Sequence, residues 1–275
     1  MTTASPQRTL WLAAGALLAL VFTLGAGIQL VGWTVGSVSK DEHHVLAGNV
    51  KEVRIDGAFS DLELAPASGD QVVVDSHAKG SLWLPKVRTQ IDGDHVNVTG
   101  NCHIVVFGSC EARFVVHVPA GMAVTVTTGS GDVHASGLSG RVAVDVSSGD
   151  VELHGLTGGT TAQVQSGDIV AAALSGRVSL RSSSGDISAA GLRSRDVTAH
   201  ATSGDVALDV ATAPDRVDAS ASSGDVTVAV PRGVSYDATV DASSGDHSLG
   251  IASDPASDRR VSAVTSSGDA TIVYR

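Results

Sequence analysis

The side chains that could do chemistry recur in a short phrase, S-G-D, with aspartates at Asp70, Asp132, Asp150, Asp168, Asp186, Asp205, Asp225, Asp246 and Asp269. A serine beside a carboxylate reads first as a nucleophile with an orienting acid, and a row of carboxylates reads first as a cation ladder. The nucleophile would need a base. The ten histidines, among them His134, His154, His200 and His247, share no fixed phase with the serines, and the chain has no G-x-S-x-G or H-E-x-x-H. Calcium takes about six to eight oxygen ligands, whereas one carboxylate and one hydroxyl per repeat supply few. The G-G-x-G-x-D-x phrase of calcium-binding coils is also absent. Stacked carboxylates about 4.8 Å apart repel by roughly 0.9 kcal/mol per neighbour in water, so such a row must be hydrogen-bonded, partly protonated or neutralised by ions.

The phrase reads instead as a turn: glycine supplies a positive φ, and Ser or Asp satisfies turn amides. The turn ladder then runs through Gly131 and Asp132, Gly149 and Asp150, Gly167 and Asp168, Gly185 and Asp186, Gly204 and Asp205, Gly224 and Asp225, Gly245 and Asp246, and Gly268 and Asp269. No residue is assigned to catalysis, to a cofactor or to a metal.

Turns at a fixed phase need elements that repeat. From Asp132 onward the intervals are 18, 18, 18, 19, 20, 21 and 23, the signature of a solenoid whose coils cannot bury their apolar faces alone. Eight residues before each aspartate stand Val124, Val142, Thr160, Val178, Val197, Val217, Ala238 and Val261, and six before it Val126, Val144, Ala162, Leu180, Ala199, Ala219, Val240 and Ala263. One residue after it the series runs from Val133 and Val151 to His247 and Ala270, and three after it from Ala135 and Leu153 to Leu249 and Ile272. This alternation is that of strands with one buried face. Each coil is therefore strand, S-G-D turn, strand and corner, with Leu138, Leu156, Leu174 and Leu192 plugging the first four corners.

The extra residues of later coils fall in Ala211 to Asp215, Pro231 to Ser235 and Ala252 to Arg260, loops that should gather at one corner, where solenoids often bind. The expected fold class is all-β, a parallel β-solenoid preceded by one N-terminal transmembrane helix. Residues 41–118 are its irregular β start, which also carries the Asp70 turn, and residues 119–275 are the regular repeats; a separate small β domain at the start is the competing division.

Composition agrees with a thin aliphatic column: aromatics are 3% against 31 glycines, and only Tyr236 and Tyr274 follow Phe114 among the rings. Beyond residue 40 the chain has 29 Asp and Glu against 16 Lys and Arg, a balance of −13, and no lysine follows Lys86. That sign repels phosphate backbones and anionic headgroups, so nucleic acid is not an expected partner.

Polysaccharide-active β-helix enzymes share the architecture and hold anionic sugars with cations and stacking rings. Arg141, Arg177 and Arg181 are the nearest candidates, with Arg177 taken as one coil beyond Arg141 in the repeated L-S-G-R; with no Lys or Trp beside them they read more simply as solvated corner residues.

From Thr9 to Ser39 no side chain is charged, and Leu10 to Val31 is nearly all apolar, enough for the roughly 20 residues that cross a bilayer core. Arg8 before it, and Lys40, Asp41 and Glu42 after it, put residues 1–8 in the cytoplasm, 9–38 in the membrane and the rest outside. A cleaved signal peptide ending at Ser37-Val38-Ser39 is the competing reading, but the run is about twice the usual length. In that oxidising compartment Cys102 and Cys110 are expected to pair as a disulfide, the alternative being two buried thiols.

The stretch V-P-A-G-M-A-V-T-V-T-T-G-S-G-D-V at 118–133, followed by V-A-V-D-V-S-S-G-D-V, resembles the bacterial DUF4097 family of candidate adhesins over residues 45–275. The resemblance implies a right-handed β-helix attached to or exported across the cell envelope, without catalytic residues. It also implies, for some members, a link to envelope-stress responses. The functional expectation is a non-catalytic, membrane-anchored adhesin or surface scaffold with an unnamed protein, lipid or glycan ligand. The alternatives are an envelope-stress accessory or sensor and a polysaccharide-active enzyme.

Overall fold

The computed structural model describes residues 38–48, 50–57, 61–80, 86–101 and 110–275. The expected membrane segment, apart from its last residue Val38, and the Cys102 end of the expected disulfide lie outside them. Among the described residues every regular element is a strand, and no helix is long and apolar enough to cross a membrane.

The regular coils pair β10 (Val142–Ser148) with β11 (Val151–His154), β12 (Thr160–Ser166) with β13 (Ile169–Ala172), and β14 (Arg177–Ser184) with β15 (Ile187–Leu192). Next come β16 (Asp196–Ser203) with β17 (Val206–Val210) and β18 (Arg216–Ser223) with β19 (Val226–Val230). The first strand of each coil joins one sheet and the second joins the other. Parallel neighbours are in register, with Val142 opposite Thr160, Val178 opposite Val197 and Ile169 opposite Ile187.

The alternation explains this division. Val142, Val144 and Val146 point inward and are buried while Asp145 is exposed, and the same phase holds through β18. Leu138, Leu156, Leu174 and Leu192 close their corners in the core. From β17 onward Val210 and Val230 take that place, and the register slips between Ala189 and Leu192 where the change occurs. At roughly 25 cal/mol per Å² of apolar area, the column of Val, Leu, Ile and Ala is the main stabilising term.

The coils do not stack in chain order at either end. At the C-terminal end β22 (Arg260–Ser267) and β23 (Ala270–Tyr274) lie between β18 and β19 on one side and β20 (Asp237–Ser244) and β21 (His247–Leu249) on the other. The chain builds its outermost coil first and then threads its last coil beneath it. Burial follows: Val261, Ala263, Ala270 and Ile272 are buried, whereas Ala238 and Val240 are half-buried and His247 and Leu249 are exposed. The repeat marks all of these as inward; among the described residues no further coil covers the outermost one.

The N-terminal end does the same. β2 (Glu52–Gly57) and β3 (Asp61–Pro66) lie between the coil of β8 (Ala123–Thr128) and β9 (Asp132–Ser136) and the coil of β6 (His95–Asn101) and β7 (Cys110–Val118). β5 (Lys86–Asp92) then pairs antiparallel with β6, β4 (Val72–Gly80) antiparallel with β7, and β1 (Val38–Leu46) antiparallel with β4. The Asp70 turn therefore departs from the expected ladder. It links β3 to β4 within one sheet, and its Gly69 has no positive φ. The glycine at the coil turn there is Gly57, at φ +145°, against the carbonyl of Gly100.

Candidate binding face

The turn ladder accounts for the most conspicuous polar groups. Asp150 N–H donates to Asp132 Oδ1 at 2.9 Å, Asp168 N–H to Asp150 Oδ1 at 2.9 Å, and Asp186 N–H to Asp168 Oδ1 at 2.8 Å. The series continues through Asp205 and Asp225 to Asp269 and ends on Asp246. Each carboxylate except that of Asp246, at the end of the row, is thus a hydrogen-bond acceptor for the neighbouring coil, which offsets the repulsion along the row. A Cβ at Gly185 would fall well inside contact distance of the Gly167 carbonyl, and φ there is +138°, so the column requires glycine twice over. Among the described residues the one histidine hydrogen-bonded to a serine is His200, whose partner Ser220 is not a serine of the S-G-D turns, and no three His, Cys, Asp or Glu side chains could hold a metal ion.

Charge left over from the fold gathers on the outer face of the sheet containing β14, β16 and β18. Arg177, Asp196 and Arg216 are register partners across the three strands, and Asp218 is two residues along β18 from Arg216. Arg177 Nε reaches Asp196 at 2.9 Å, and Arg216 Nε reaches Asp218 at 2.5 Å. Asp218 raises the pKa of the Arg216 guanidinium above its ordinary value, chiefly by accepting its hydrogen bond. Arg181 lies opposite Gln163 and His200 and has no carboxylate partner among the described residues. His200 in turn bonds Ser220 at 2.9 Å. Arg177, Arg181, Arg216, Asp196 and Asp218, together with Val178, Ser179 and Thr198, line a shallow groove of about 370 Å³.

Of the arginines singled out by the sequence, Arg177 and Arg181 share this groove. Arg141 does not: it precedes β10, and β12 intervenes before β14, so the two L-S-G-R phrases are two coils apart rather than one. Arg216 escaped notice because it is preceded by P-D rather than S-G; counting back nine residues from Asp225 and Asp186 puts it in phase with Arg177. The late loops gather beside this face: Asp215 and Arg216 donate to Arg195 O, Arg260 to Asp215 O, and Asp237 to Arg259 O.

A family model described as Toastrack DUF4097 matches residues 50–273. The chain belongs to that family. Among solved structures it is similar to a candidate adhesin from Bacteroides fragilis, at 12% identity and a TM-score of 0.51, over 87% of this chain and 97% of that one. It is equally similar to a candidate adhesin from Parabacteroides distasonis, at 14% identity and a TM-score of 0.52, again over 87% and 97%. Both likenesses are of fold. No functionally curated protein matches the chain. A DUF4097 assignment agrees with the parallel two-sheet stack but brings no site residues with it.

Proposed function

We propose that this DUF4097 protein is a non-catalytic display module, held at the cell membrane by its N-terminal apolar run with the solenoid outside, that binds as an adhesin or surface scaffold. The observation that carries the reading is where the polar groups go. The repeated carboxylates are consumed in coil-to-coil hydrogen bonds, and the polar side chains the fold does not need lie on a flat outer face crossing several coils. A site for chemistry gathers its groups in a cleft; a rigid face with one repeating stride suits contact with an extended surface. The run from Thr9 to Ser39 between Arg8 and Lys40 supports the placement, and the adhesin description of the two solved relatives agrees with it.

Cells displaying the full chain are compared with cells lacking it for adherence to glycan-coated and protein-coated surfaces. Greater adherence with no turnover of pectin-like or cell-wall glycans is the expected result. Unchanged adherence with altered antibiotic response would replace this reading with an envelope-stress role, and glycan turnover would replace it with an enzyme.

A further inference from the structure

We propose that the groove crossing β14, β16 and β18 binds a carboxylate-bearing glycan laid across the strands, an inference that rests on the outer sheet face being the binding surface. Three guanidiniums face it, two of them tied to carboxylates, so the cluster holds one cation more than its anions. Arg181 is that cation, exposed and in no ion pair among the described residues, since Asp196 and Asp218 are taken by Arg177 and Arg216. Arginine suits planar two-point recognition of a carboxylate. Parallel strands about 4.8 Å apart put Arg177 and Arg216, on either side of Asp196, roughly 10 Å apart, a span that a run of sugar rings can bridge.

The surroundings choose among anions. None of the exposed large hydrophobic side chains, Val38, Val45, Ile91, Val170 and Leu249, lies on these three strands, so an acidic protein would find no apolar anchor. Ser179 and Thr198 offer hydroxyls matched to a hydroxylated ligand. A dense polyanion would meet the acidic body as a whole. A sparsely charged chain meets mainly the groove, because the ladder carboxylates lie past the end of the strand, at the S-G-D turn, where their Oδ1 atoms accept the N–H of the next coil. No Phe, Tyr or Trp lies on these strands to stack a sugar, so single-site affinity is low and attachment depends on many displayed copies.

The full chain in detergent micelles is titrated with a hexamer of sugars that carries a uronate on alternate rings, its methyl ester and a hexaglutamate peptide. Binding of the hexamer alone is expected, with Arg181→Ala weakening it about tenfold, Arg181→Lys retaining part of it and Thr227→Ala, on the other sheet, leaving it unchanged. A melting midpoint equal to the parent's establishes that each variant is folded, and Arg216→Ala serves as a second probe should Arg181→Ala fail that check. Equal binding of the ester or of hexaglutamate, or full binding by folded Arg181→Ala, would overturn the assignment. Adherence that persists while the hexamer fails to bind removes the glycan and spares the surface-binding reading. Hexamer binding without any adherence keeps the groove's ligand and removes that reading.

Discussion

The backbone N–H of Asp269 donates to Asp225 Oδ1 at 2.8 Å across 44 residues of sequence, and Asp246, which lies between them in the chain, donates its own N–H to Asp269 Oδ1 at 2.8 Å. The last coil is therefore bonded on both sides, and the end of the chain is clamped inside the solenoid. A terminal coil stacked in chain order would have been exposed to fraying.

This order is testable by cross-linking. Ser223 and Ser267 are register partners, and so are Ser267 and Ser244. The pairs Ser223→Cys with Ser267→Cys, and Ser267→Cys with Ser244→Cys, should oxidise to a bridge seen as linked peptides by mass spectrometry. Ser223→Cys with Ser244→Cys should not, since two strand spacings, roughly 10 Å, exceed what a disulfide spans.

The positive-φ glycines divide into two kinds, those pressed against the next coil and those facing open space. Gly185→Ala meets both a φ of +138° and the Gly167 carbonyl, and should cost about 3 kcal/mol or more by denaturant unfolding. Gly155→Ala, at φ +61° with nothing within 4 Å, should cost only about 1 kcal/mol. Ala173, at φ +55° one coil on, already occupies that backbone position.

The aspartate row should respond to shape more than to charge. Asp186 Oδ1 accepts the Asp205 N–H at 2.8 Å, so Asp186→Ala should lose about 1–2 kcal/mol. Asp186→Asn keeps an acceptor and removes repulsion from its neighbours, and should match or exceed the parent. Added salt should raise the parent's melting midpoint more than that of Asp186→Asn, because only the parent has repulsion there to screen.

Glu52 joins three coils at the N-terminal end. It takes Arg54 at 2.9 Å, the Thr125 hydroxyl of β8 at 2.8 Å and His95 of β6 at 3.2 Å. Its carboxyl is held below the ordinary 4.5, first by the Arg54 hydrogen bond, with burial opposing and Thr125 and His95 assisting. A depressed folded pKa contributes stability that is complete above the unfolded value and is lost as the pH falls through the folded one. Glu52→Gln should therefore destabilise by about 1 kcal/mol at neutral pH. In urea melts across a pH series, its deficit should shrink as the pH drops below 4.5.

The sequence by itself determined what a coil is. The two-residue alternation from Val124 to Ile272, the glycine at each turn and the size limit on inward side chains suffice for two strands, one turn and parallel in-register pairing, because each follows from local geometry and from the need to bury one face. The tertiary structure alone decided which coil stacks on which. Every coil presents nearly the same edge of N–H and C=O groups, so the repeat is degenerate with respect to neighbours. The order is resolved by loops long enough to step back over a coil, as residues 250–259 do between β21 and β22. The groove was legible only in part: Arg177 and Arg181 stand out in the sequence, but Arg216 joins them, and Arg141 leaves them, only when the order of the strands is known.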